Sequence, residues 1–197
     1  MENTKLLKEL ESYRNDYRKE DDKWVEKYTE NSELTQKDFT YGSTPYDTAI
    51  KLISHVKKTP ERFVVVGTSI GWMNFYWNEV YPNIPSLGID IHQGRIDFGN
   101  SLIEKYELEN IDLQVGDLYE FDFKDTDLLW MSNLCFDWDA TQKIMGDIIE
   151  KNPNIAIISY RPIHHSPSRK WVTGYHYPVS WMEKQPFHIY EKIDKKQ

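Results

Sequence analysis

Gly67-Thr68-Ser69-Ile70-Gly71 follows four apolar residues, Phe63 to Val66, and precedes an amphipathic stretch. Small residues and two glycines at the mouth of a helix let the backbone approach a ligand closely, with unpaired N–H groups facing it. About twenty residues further on, Asp90 closes a second apolar run, the spacing at which an acid accepts hydrogen bonds from the two hydroxyls of a ribose. The same acid can instead cap a turn, and the pair of features does not choose between these roles. Gly116-Asp117-Leu118 forms a corner of the kind that lies against an adenine ring, with Asp117 accepting from the exocyclic amine. Ser132-Asn133-Leu134-Cys135-Phe136 ends another apolar run and delivers two small polar side chains and an aromatic. Thr68 and Ile91, beside the glycine and acid positions, join the candidate set. With no phosphate-binding lysine, Walker-type loop or metal cluster, these positions suit adenosylmethionine better than ATP. Methyl transfer from a sulfonium to a nitrogen is an in-line displacement, so it needs alignment and a neutral acceptor amine more than acid-base groups.

Those positions act together only if the chain brings them to one edge. Phe63–Val66, Leu87–Ile91, Ile111–Val115, Asp127–Met131 and Ile155–Tyr160 are short and apolar, and read as strands. Trp72–Val80, Arg95–Tyr106 and Asp139–Glu150 carry helical patterns between them. Strands apolar on both faces and separated by helices imply a parallel sheet covered on both sides. The expected fold is α/β: a Rossmann-like, doubly wound, mostly parallel seven-stranded sheet, ending in antiparallel C-terminal strands between Trp171 and Ile193. In such a sheet every candidate position lies beyond the carboxyl ends of the strands, where ligands bind.

Ahead of this core, Leu6, Leu10, Tyr13, Tyr17, Trp24 and Tyr28 space one apolar stripe along a helix, so residues 1–38 read as an N-terminal helical extension and 39–197 as the main domain. In Phe39 to Asp47, Thr44 is placed to N-cap a helix, Pro45 to occupy its first position and Asp47 to complete a capping box.

A chain of 197 residues suffices for one ordinary core. A single cysteine, Cys135, cannot form an internal disulfide; the first residues show no secretory signal, and no stretch approaches the ~18 apolar residues of a membrane span. An intracellular protein, cytoplasmic or nuclear, with no membrane partner is expected. The formal charge of −8 argues against a general polyanion binder. Yet Lys151 to Gln197 hold eight Lys and Arg against three Asp and Glu, a net +5 that leaves −13 for the rest. The adjacent His164-His165 lack a Cys or carboxylate partner at ligand spacing, so no metal is expected. Asp137, Asp139 and Asp147 read as helix-start and surface charges.

Tyr41-Gly-Ser-Thr-Pro-Tyr-Asp47, Gly67-x-x-x-Gly71, Asp90, Gly116-Asp-Leu118, Asn133-Leu-Cys-Phe136 and Val179-Ser-Trp181, in this order over residues 39 to 193, resemble the class I histone lysine methyltransferases of the disruptor-of-telomeric-silencing family, the non-SET enzymes that modify the nucleosome core. The resemblance implies S-adenosylmethionine as cofactor. It places Tyr41, Gly42 and Thr44 in a loop over the methionine part, Gly67 and Gly71 under the cofactor, Asp90 on its ribose, and Asp117 with Leu118 at its adenine. It also implies that Ser132, Asn133, Phe136 and an aromatic from the tail line the methyl-transfer channel. Tyr190 is the expected aromatic, with His188 as the alternative. The chain departs from the family at Val65 and Ser43, where the family has acids that help hold the methionine end, and at Ser69 and Ser132, where it has glycine and asparagine. A basic protein is the expected substrate, attracted by the acidic body. Two alternatives are a methyltransferase fold serving as a binding module and a methyltransferase acting on nucleic acid or a small molecule.

Overall fold

A computed structural model gives the fold, and the residues it describes are 5–13, 43–164 and 170–191. Tyr17, Trp24, Tyr28, Tyr41, Gly42 and the expected boundary at residues 38 and 39 lie outside them. Seven strands form one sheet in the order β3-β2-β1-β4-β5-β7-β6: β1 (Phe63–Val66), β2 (Ser86–Asp90), β3 (Ile111–Val115), β4 (Leu128–Met131), β5 (Ala156–Ser159), β6 (Lys170–Val179) and β7 (Met182–Glu191). β1 to β5 pair in parallel, whereas β7 runs antiparallel to both β5 and β6. The expected architecture is present, and each strand lies within a residue or two of its expected bounds.

Side-chain alternation divides the core. Phe63, Val65, Leu113, Leu128, Trp130, Ile158, Phe187 and Ile189 belong to one cluster, with Leu6 and Leu10 of α1 (residues 5–13), Leu52 of α2 (Tyr46–Ser54), Phe75 and Trp77 of α3 (Trp72–Val80) and Leu102 of α4 (Gln93–Lys105). Val64, Val66, Ile89, Met131 and Ile157 belong to a second, with Met145 and Ile148 of α5 (Trp138–Lys151) and with Leu118 and Phe123 of the β3–β4 connection. Among the described residues, this second face is therefore covered by one helix and a loop. β3 departs from the fully apolar expectation: Asp112 and Gln114 are exposed because β3 is the sheet's edge strand. No described helix is long and apolar enough to cross a membrane.

The start of α2 corrects one expectation. Pro45, not Thr44, occupies the N-cap position, and no side chain caps the helix. The Thr44 hydroxyl instead hydrogen-bonds the Tyr160 hydroxyl, a tertiary contact that local capping logic does not anticipate. Asp137 does cap α5, accepting from the Ala140 N–H at 2.9 Å.

α1 is fastened by one carboxylate. Glu9 accepts from Lys105 Nζ at 2.6 and 2.7 Å, from Tyr13 Oη at 2.7 Å, and from the Tyr106 hydroxyl. The Lys105, Tyr106 and Tyr13 hydrogen bonds hold the carboxyl down from 4.5 to about 2, and Glu9 in turn pushes the Tyr106 phenol up to about 12. A depressed carboxylate stabilises the fold above its unfolded pKa and loses that contribution as pH falls from 4.5 through about 2. A raised phenol loses its contribution as pH climbs from 10 towards 12. Glu9→Gln is therefore expected to cost about 1 kcal/mol near neutrality, discounted for solvent screening, and progressively less as pH falls from 4.5 towards 2. Urea melts at pH 7 and at the lowest pH where the chain stays folded test this, since an equal cost at both would sink the assignment.

Candidate functional site

The strand order turns at β1: its neighbour on one side is β2 and on the other β4, and the crevice beyond their carboxyl ends is where such sheets take ligands. The β1–α3 turn borders it. Gly67 and Gly71 have φ of +70° and +96°, and between them Ser69 takes φ +55°, a left-handed conformation that a side chain normally avoids. Asp90 holds the turn in this shape. Its Oδ2 accepts from the Ser69 N–H at 2.8 Å and its Oδ1 from the His92 N–H at 3.0 Å, with the residue 7% exposed. The capping role open in the sequence is thus filled, while each carboxylate oxygen keeps a second lone pair. Thr68, at the same turn, is spoken for: its hydroxyl donates to Asn74 Oδ1 at 2.6 Å inside the protein.

At the ends of β2 and β3 the surface is apolar. Ile91 is 38% and Val115 44% exposed, and Val115 pairs with Asp90 across the strands. Asp117 is exposed beside them, with Oδ1 accepting from the Tyr119 N–H at 2.9 Å. Leu118, expected at this corner, instead turns into the second core cluster. The apolar side chains exposed at this corner are instead those of Ile91 and Val115.

Across the crevice, β4 ends against the glycine turn. A Cβ on Gly67 would stand 3.2 Å from Phe136 Cζ and 3.3 Å from Ser132 Cβ, so the aromatic ring lies directly on that glycine. Asn133 is 0% exposed; its Oδ1 accepts from the Tyr160 and Arg161 N–H groups, both at 3.1 Å, and ties the β4 and β5 ends together. Its Nδ2 has no partner among the described residues. Arg161 donates through Nη1 to the Phe136 carbonyl at 3.1 Å, fixing the turn from outside.

Tyr160 was not anticipated as a site residue, although the strand-end logic applied to β1 to β4 reaches it when extended to β5. Burial pushes its phenol up to about 12, with Thr44, Trp130 and Ser132 pulling the other way. It is a neutral hydroxyl at any physiological pH. Above it the segment before α2 is clasped to the β6–β7 turn: Ser43 N–H donates to Ser180 Oγ and Ser180 N–H to the Ser43 carbonyl, both at 3.0 Å. The fold thus brings the Thr44 segment and Val179-Ser-Trp181 together, a contact the sequence did not foretell, and Trp181 lies over Tyr160 at 5.7 Å between ring centroids.

Tyr190 is not at this edge as expected. It is buried in the second core cluster, where its hydroxyl accepts from the Ile163 N–H at 2.7 Å. His188, the alternative, pairs with Ser159 at the carboxyl end of β5, and burial first, then His176 and His164, lower its pKa. Cys135 is a half-buried free thiol. Among the described residues no group of three or more His, Cys, Asp or Glu could hold a metal ion.

No family model matches the chain, and no curated protein sequence does. Solved structures do. Geranyl diphosphate C-methyltransferase from Streptomyces coelicolor A3(2), solved with Mg2+, geranyl diphosphate and S-adenosyl-L-homocysteine, superposes with TM-score 0.50 at 14% identity over 57% of this chain. The chain shares the Rossmann-like fold of that structure. The YcgJ protein from Bacillus subtilis superposes with TM-score 0.48 at 12% identity over 59% of the chain. The chain spans about half the length of these structures, 44% and 51% respectively. In this Rossmann-like fold, Gly67, Asp90, Ile91, Asp117, Ser132, Asn133, Phe136 and, through Tyr160, Thr44 meet at the carboxyl edge, whereas Leu118 and Tyr190 turn into the second core cluster.

Proposed function

We propose that the chain is an S-adenosylmethionine-dependent methyltransferase, resembling the disruptor-of-telomeric-silencing enzymes, with the lysine amine of a basic protein as acceptor. The observation that carries this reading is the carboxyl edge itself: an acid, two exposed apolar side chains and a left-handed glycine turn side by side at the switch point. Ile91 and Val115 fit the faces of an adenine, Asp117 its amine and Asp90 its ribose. At the other end, Ser43 and Ser69, at two of the positions departing from the family, carry buried hydroxyls with no partner among the described residues, and the polar groups of a methionine moiety would satisfy them.

Bound there, the cofactor supplies a methyl group on a sulfonium; the chain supplies alignment. Asn133 and Tyr160 lock the ends of β4 and β5, so Ser132 and Phe136 hold fixed positions around the acceptor path. The Tyr160 phenol, held neutral, orients and does not take a proton. Burial among Phe136, Trp181 and Tyr160 favours the neutral form of an entering amine, which is the nucleophilic one.

Val65 favours a second reading, a binding module without cofactor. In this fold Val65 is fully buried in the first core cluster, so the family's acid at this position has no counterpart. Calorimetry with adenosylmethionine and adenosylhomocysteine separates the readings. Saturable binding is expected, weakened about tenfold in Asp117→Asn, which keeps the local turn but exchanges one acceptor for a donor. No heat at millimolar ligand would leave the binding module. Labelled methyl transfer to histones against RNA then tests the acceptor.

A further inference from the structure

A cavity of about 510 Å³ opens on the second face of the sheet, lined by Tyr119, Phe121, Phe123, Ile144 and Ile148 and rimmed by Glu120, Asp122, Lys124, Asp147 and Lys151. It runs along the β3–β4 connection from Tyr119, whose N–H donates to Asp117 at the carboxyl edge, away towards the start of β4. Its far wall is held by Asn152, just past the C-terminal end of α5, whose Nδ2 lies 3.2, 3.1 and 2.6 Å from the carbonyls of Phe123, Lys124 and Thr126, next to the start of β4. Gly67 and Asp90 stand at the opposite ends of their strands.

The lining has an uncommon chemistry. Alternate residues of one loop, 119, 121 and 123, present three aromatic rings, and the Phe121 and Phe123 rings meet at 67° with centroids 4.8 Å apart, making a corner. Phe123 is 4% exposed and forms a floor; Tyr119 is 43% exposed and forms an outer wall. Ring faces are negative, and angled rings attract a cation too large and too weakly hydrated to prefer water. Three carboxylates surround them. Glu120, Asp122 and Asp147 stand on short side chains, while Lys124 and Lys151 stand on long ones that can carry their ammonium groups out into solvent. Asp122 is oriented by the Lys124 N–H, which donates to its Oδ1 at 3.1 Å.

We propose that this cavity binds a methylated ammonium group, the aromatic corner taking the methyls and the carboxylate rim the charge. The proposal is independent of methyl transfer at the carboxyl edge. Such a group can come from a small quaternary ammonium compound or from a methylated lysine of a peptide, and the shared headgroup is what the cavity recognises.

The test uses the full chain, isotope-labelled for NMR, titrated with choline and with 3,3-dimethylbutan-1-ol, its neutral carbon isostere. Choline is expected to shift Tyr119 to Lys124 and Ile144 to Lys151 while leaving Gly67 to Gly71 still, and to bind at least about fivefold more tightly than the isostere. Phe121→Leu, which keeps apolar volume, and Glu120→Gln, on the exposed rim, should each reduce that preference. Equal binding of alcohol and cation would mean a merely apolar cavity and would overturn the proposal, as would absence of shifts or shifts confined to the carboxyl edge. A trimethyllysine peptide binding more tightly than choline assigns the source to protein, and the reverse to a small molecule; either supports the site.

Discussion

Asn133→Ala is expected to lower stability by about 2 to 4 kcal/mol, the largest loss from any single polar residue of the candidate site. Its Oδ1 satisfies two backbone N–H groups at once, those of Tyr160 and Arg161. The residue is completely enclosed, so no water replaces it, and each buried donor left unmade costs about 1 to 3 kcal/mol. Asn133→Asp keeps the acceptor and should recover part of the loss, less the cost of burying a charge. Chemical denaturation of the three proteins reads both values. A loss under 1 kcal/mol in the alanine variant would show that the β4 and β5 ends are held by something else. Ligand affinity at the carboxyl edge should fall with it, because Phe136 and Ser132 belong to the same turn.

Gly99→Ala tests the opposite side of the crevice and should cost about 2 kcal/mol. A Cβ on Gly99 would stand 2.5 Å from the Ile70 carbonyl oxygen and 2.5 Å from Leu113 Cδ1. Overpacking of this kind costs about 1 to 3 kcal/mol or more, and the better helix propensity of alanine returns about 1. The carbonyl is backbone and cannot swing aside. The strain therefore passes into Ser69 to Gly71, whose left-handed geometry has little slack. Thermal melts measure the first effect and calorimetry with adenosylhomocysteine the second. Unchanged stability would mean that α4 stands further from the turn than described.

Much of this was legible beforehand because parallel strands buried on both faces leave an unmistakable run of apolar residues. Trp72–Val80 matches its expected helix to the residue, since Gly71 and the tyrosine-proline pair after it bound the pattern from both sides. The strand-end rule then located Gly67, Asp90, Asp117 and Ser132 without any knowledge of their partners. What escaped were the contacts between segments far apart in sequence. Thr44 caps nothing; its hydroxyl pairs with that of Tyr160, a partner supplied by the end of β5 and invisible in Thr-Pro-Tyr-Asp. Leu118 and Tyr190 were assigned by motif position, yet both sides of a sheet are equally accessible to a motif, and packing chose the core for each. The aromatics at Tyr119, Phe121 and Phe123 alternate with acids as in a strand, and nothing in that alternation shows that the chain there is a loop whose rings meet in a corner.

The Ser43–Ser180 clasp carries a consequence for how the protein is made. It joins residues 137 apart, and β7 inserts between β5 and β6, so that β6, next in sequence, does not sit beside β5. A ribosome delivers Ser43 well before Ser180. Until the β6–β7 hairpin emerges, the Thr44 segment has no turn to grip, and β5 presents an unpaired edge. A chain truncated before residue 180 would thus hold the glycine turn and its acid but not a closed site, so that the competence of the edge waits on the β6–β7 turn.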